Sequence, residues 1–186
     1  MKQPGLLGYF ELLDWYNSSF NYGEMNLIKQ TYKPMGGSYE NLIEGNISAT
    51  SFSAIGLLNG VAGFLINKEY SIDIGITFLQ KAESLINEGS AFSDLHFLYL
   101  NFSKTYKRKK DFTKALKYSK KMIDISENVS TQFINKYGKN EVSHQGFVDY
   151  INYLKNKQDD SMVSILEEKA RREKWRGPWN FGKHRT

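Results

Sequence analysis

Residues 106–125 read YKRKKDFTKALKYSKKMIDI. After Asp111 the apolar positions return every three or four residues, the period of an α-helix with one buried face. Asp111 stands directly before that run, where a side-chain carboxylate accepts a first-turn N–H. The Lys-Arg-Lys-Lys in front of it closes a preceding helix, because cations suit the negative end of the helix dipole. The stretch therefore reads as helix, tight turn, helix, with the basic cluster as the solvated end of the first.

Working outward, the first of these helices is expected from Asp94 to Lys109 and the second from Asp111 to about Ser126. A shorter helix, Thr131 to Tyr137, stops at Gly138, and Ser143–Asn156 and Asp160–Lys174 form a last pair. Upstream, Ser71 is expected to cap a helix that runs to about Asn87 and stops at Gly89. Residues 46–67, NISATSFSAIGLLNGVAGFLIN, carry no charge. Ser48, Thr50, Ser51, Ser53 and Asn59 would each need a partner in lipid, so a buried central helix is expected there rather than a membrane span. Gly56 and Gly60 give it room for close approach.

Near the N-terminus, Leu6–Tyr16 is apolar on more than one side and reads as one buried helix. Asn21 and Glu24 have the spacing of a capping box opening a helix to about Tyr32. Lys33–Gly37 breaks that helix, and the chain to Gly45 reads as loop or short helix. Every strong segment is helical and the connections are short. The expected fold class is therefore all-α, with antiparallel helix pairs stacked as a compact bundle in a single domain over 1–186. Its parts are an N-terminal helical cap (1–45), the helix pairs (46–175) and a basic aromatic tail (176–186).

At 186 residues, 40% of them hydrophobic, the chain can bury a substantial core. There is no cysteine, which excludes disulfides, thiolate nucleophiles and thiolate metal sites and permits a reducing, cytoplasmic setting. The N-terminal stretch has an acid at Glu11 and no apolar run of signal-peptide length, so it reads as mature protein. Charge is segregated. Residues 1–100 carry 5 Lys against 10 Asp/Glu, whereas residues 101–186 carry 20 Lys/Arg against 10 Asp/Glu. A basic half either packs near the acidic one or attracts a polyanion.

The segment His96–Ser126 resembles a tetratricopeptide unit. Tyr99, Phe102, Ser103 and Tyr106 fall on the first-helix signature positions, Asp111-Phe112 occupy the turn, and Ala115 sits where the second helix crosses the first. A larger side chain than Ala115 would hold the two helices apart. A copy 40 residues earlier uses Ala62, Gly63 and Ile66, then Gly75, Leu79 and Ala82. One 48 residues later uses Phe147, Tyr150, Ile151 and Leu154, then Val163 and Ala170. Ile151 and Val163 replace small residues of the motif, and Ser119, Met122 and Glu127 also depart from it. The whole chain is similar to an uncharacterised group of bacterial tetratricopeptide-like proteins. That likeness is carried by Gly8–Tyr16 (GYFELLDWY), Tyr32–Gly36 (YKPMG), Leu95–Phe97 (LHF) and Trp175–Trp179 (WRGPW). The resemblance implies a helical scaffold without a known reaction, acting by binding.

Catalytic and metal sites are not expected. His96, His144 and His184 lie far apart and form no H-x-x-x-H or HExxH pair. His96 reads as a satisfied, half-buried residue, and His144 as an exposed first-turn cap. No G-x-S-x-G or phosphate-binding glycine loop occurs, and no cofactor is expected. Glu11 and Asp14, one helical turn apart, read as a solvated stripe before they read as a carboxylate pair. The expected partner is a protein or peptide, met by exposed first-helix residues Asn59, Asn101, Lys104, Asn152 and Lys155. The alternative is nucleic acid, met by a basic patch of Arg108, Lys109, Lys110, Arg171, Arg172 and Arg176, with Trp175, Trp179 and Phe181 as stacking rings. In the structural reading of that tail, Trp175 and Trp179 instead fold back and cover the last helix pair.

Overall fold

A computed structural model describes residues 5–35, 37–138 and 142–181. Among them there are eleven α-helices and no strand, so the chain is an all-α assembly of packed helices. None of these helices is long and apolar enough to cross a membrane. Contacts divide the chain into two compact units, 1–87 and 88–186.

The first unit contains α1 (Gly5–Tyr9), α2 (Leu13–Ser19), α3 (Tyr22–Thr31), α4 (Tyr39–Ile43), α5 (Ala54–Leu65) and α6 (Ile72–Ser84). The expected single helix over 6–16 is two helices, broken at Glu11, whose φ is +57°. On one continuous helix Leu7 and Leu12 would project about 140° apart. The break lets both be buried. It also removes Glu11 and Asp14 from a shared helical turn, so they form no helical carboxylate pair. The Asn21–Glu24 capping box is present in both directions, at 3.0 and 2.9 Å. An aromatic nest of Tyr16, Phe20 and Phe78 fills this unit, Phe20 stacking on Phe78 at 5.1 Å. The hydroxyls of buried Tyr16 and Tyr39 pair with each other there at 2.8 Å.

The uncharged stretch is helical only from Ala54, which Ser53 caps by accepting the Gly56 N–H. Ser71 does not cap α6. It is fully buried, and its hydroxyl donates to the Leu65 carbonyl at the end of α5. Gly75 lets α5 and α6 meet: a Cβ there would lie 2.6 Å from Ile66 Cγ2 and 3.2 Å from Ile66 N.

The second unit contains α7 (Phe92–Arg108), α8 (Phe112–Asp124), α9 (Ser126–Tyr137), α10 (Gln145–Asn156) and α11 (Asp160–Arg172). Helix α9 begins five residues earlier than its polar sequence suggests, because burial of Val129 and Ser130 rewards helix where propensity does not. It ends on Gly138 at φ +76°, as expected.

The α7–α8 turn answers for the basic cluster. Lys110 is left-handed (φ +59°), and Lys110 N–H and Asp111 N–H donate to the carbonyls of Lys107 and Tyr106. That is a Schellman closure with lysine in glycine's place. Asp111 then caps α8 through the Lys114 N–H at 3.1 Å. The α10–α11 turn repeats this device 48 residues later: Gln158 is left-handed (φ +58°), its amide and that of Asp159 close on Lys155 and Leu154, and Asp159 caps α11. The core of α9, α10 and α11 is Val129, Phe133, Phe147, Ile151, Val163 and Leu166, closed by Trp175 and Trp179.

Candidate partner-binding groove

The site follows from how α10 is held against α7 and α8. Gly146 opens α10 at its contact with α8, where a Cβ would lie 2.8 Å from the Ser119 carbonyl and 2.9 Å from Met122 Cβ. One turn on, Asp149 reaches back into the pair. Its Oδ2 takes the Lys107 ammonium and the Ser119 hydroxyl (3.2 Å), and its Oδ1 takes the Gln145 amide (2.8 Å). Ser103 and Ser119, both fully buried, share a hydrogen bond at 3.1 Å. Small hydroxyl residues on facing helices thus leave room for the carboxylate, whose side chain is only 10% exposed. Lys107 is therefore not part of a freely solvated cluster. A buried carboxylate with this many donors locks three helices into one register.

Beyond that lock the outer flanks of α8 and α10 carry two shallow, open hollows of about 400 and 420 Å³. They share a ridge of Phe112, Leu116 and Tyr153. Phe112 is 63% exposed and Tyr153 37%, so both rings present apolar surface to solvent. Asn152 and Asn156 line the first hollow, with the Lys107–Asp149 pair at its edge. Tyr150, Lys117 and Lys120 line the second.

The expected recognition residues do not gather here as a set. Asn59 is buried, flanked along α5 by buried Ile55, Leu58 and Ala62, so it faces core rather than partner. Asn101 is half-buried and its carbonyl accepts the Thr105 hydroxyl. Lys104 is exposed, and Lys155 is exposed with its ammonium 3.2 Å from Glu167. Asn152 alone of the five lines the groove. The residues that dominate it, Phe112, Leu116 and Tyr153, escaped sequence reasoning because helical periodicity marks apolar residues as core.

Arg108, Lys109 and Lys110 are exposed at the α7–α8 turn, and Arg172 and Arg176 are exposed at and beyond the end of α11. Arg171 is not: it is half-buried, pairs with Glu168 at 3.1 Å and donates to the Trp179 carbonyl. Trp175 and Trp179 are 1% and 4% exposed, which removes two of the three rings a stacking surface would use. The side chain of Phe181, and His184, lie outside the described residues.

Two histidines, 48 positions apart, meet in the core. His96 and His144 have ring centroids 5.0 Å apart, and Trp175 stacks on the first and edges onto the second at 4.5 Å. His144 does cap α10, its Nδ1 accepting the Phe147 N–H at 3.1 Å, but it is buried rather than exposed. His96 is buried with no partner at Nδ1, and His144 has none at Nε2. His96 is therefore not the satisfied, half-buried residue expected. Burial pushes His96 down to about 4; burial and then the neighbouring His96 push His144 to about 3. Both are neutral at pH 7. Among the described residues no three His, Asp or Glu side chains gather as a metal site requires. No protein-family model, curated protein or solved structure matches this chain.

Proposed function

We propose that this chain is a non-catalytic interaction module that binds a protein or peptide through the α8–α10 groove. The observation that carries this reading is the paired hollow around Phe112, Leu116 and Tyr153, an apolar surface held open by a buried polar lock. Exposed aromatic area beside carboxamides is the composition of an anchor pocket at an interface. We further propose a tetratricopeptide-like scaffold, acting in the cytoplasm. The packing of α5 on α6, α7 on α8 and α10 on α11 as successive helix pairs supports that scaffold. Nucleic-acid binding is the second reading; the excess of basic residues favours it, and the burial of both tail tryptophans counts against it.

Peptide-display selection on the full chain tests the first reading. Peptides enriched on the wild type should lose binding on Phe112→Ala and Tyr153→Ala, both at exposed positions. Selection that enriches nothing, or peptides indifferent to both substitutions, overturns it.

A further inference from the structure

We propose that the occupant of this groove is an acidic, amphipathic helix of a partner protein; this rests on the groove being a binding site. Three observations converge on that chemistry. On α8, Phe112 and Leu116 stand four residues apart, and on α10, Tyr150 and Tyr153 stand three apart. Those are the row spacings by which helices interlock, so each outer flank is a helix-packing face. The two hollows share Phe112, Leu116 and Tyr153, so they form one continuous apolar surface on which a single rod can lie. No strand edge is present among the described residues to recruit an extended segment by backbone pairing.

Charge selects the partner's sign. Lys117 and Lys120 are exposed on the wall of the second hollow. The carboxylate lining the first, Asp149, is already engaged by Lys107, Ser119 and Gln145. Residues 88–186 carry 20 Lys/Arg against 12 Asp/Glu, so the unit's wider field has the same sign as the groove wall. Glutamates flanking the apolar row of the incoming helix meet Lys117 and Lys120 on one side. On the other, Asn152 and Asn156, one turn apart, offer carboxamides to its polar edge.

Fluorescence anisotropy on the full chain tests this with a labelled peptide of about twenty residues, leucine at i, i+4 and i+7 and glutamate on the flanks. Three comparators are used: a scramble that destroys the helical period, a lysine-for-glutamate counterpart, and single-stranded oligouridine. The acidic amphipathic probe should bind, and Phe112→Ala should weaken it by about tenfold or more. Lys117→Glu with Lys120→Glu should weaken it by a similar factor at low salt, a difference that shrinks as salt rises. Circular dichroism confirms that these surface variants remain helical.

Equal binding of the scramble or of the lysine counterpart overturns the proposal, as does indifference to Phe112→Ala. So does oligouridine binding more tightly and losing affinity in the lysine variants. Self-association in sedimentation that Phe112→Ala abolishes would make a second copy the occupant, and also overturns it. If display peptides depend on Phe112 while the acidic probe fails, the module survives and the partner assignment falls. If neither binds, both fall.

Discussion

Lowering the pH from 7.5 to 5 should destabilise this protein through its buried histidine pair. In the unfolded chain a histidine titrates near 6.5, whereas His96 and His144 are held down to about 4 and about 3. Above 6.5 both are neutral folded or unfolded, and they contribute no pH dependence. Below it the unfolded chain binds protons that the folded chain refuses, so stability falls with pH down to about 4 and about 3 in turn. At pH 5 the penalty is about 2 kcal/mol for each, or about 4 kcal/mol together, a large part of a typical folding free energy of about 5–15 kcal/mol. The geometry agrees: protonating His96 places a cation 5.0 Å from the edge-on ring of His144, with no acceptor at its Nδ1. Urea titrations at the two pH values, followed by helical circular dichroism, measure the loss. His96→Leu fills the same box without titrating, and comparing it with the wild type cancels the contribution of the carboxylates. It should lose about half of the pH 7.5-to-5 difference. An unchanged difference in that variant would refute the reasoning.

Gly146→Ala should cost about 1–3 kcal/mol, because its Cβ meets the Ser119 carbonyl and Met122 with no flexible atom to move aside; a urea midpoint equal to the wild type would contradict that close approach. Gln158→Gly should stabilise by up to about 1 kcal/mol, since relief of a left-handed residue outweighs glycine's entropy, and thermal melts would register the rise. Asp149→Ala should cost about 2–4 kcal/mol by stranding Lys107 and the buried serines, whereas Lys107→Met, at a partly exposed partner, should cost less in the same denaturation assay. Trp179→Ala should cost about 3–5 kcal/mol if the tail closes the core over Phe147, and intact stability after that change would return the tail to solvent.

The C-terminal closure shows how a tail that looks like a polyanion arm becomes structure. Glu173 is buried, with its carboxylate shared between Lys169 and the Trp175 indole N–H. Its carbonyl takes the Ser130 hydroxyl. The Trp179 indole N–H donates back to the Trp175 carbonyl at 3.0 Å. Each ring therefore has a partner for its one polar group, which is what allows so large a side chain into a core.

What the order of residues determined by itself was local. The capping box at Asn21, the caps at Asp111, Ser53 and His144, the stop at Gly138 and the helical period from 92 to 124 all depend on neighbours three or four positions away. Those neighbours are present in any conformation the chain explores. The fold class follows from them. What only tertiary structure decided was which faces meet. Burial of Asn59, the union of His96 with His144, the engagement of Lys107 by Asp149 and the exposure of Phe112 each depend on residues distant in the chain. A periodic apolar stripe is equally consistent with covered and open positions, because period reports the direction of a side chain and says nothing of what stands opposite.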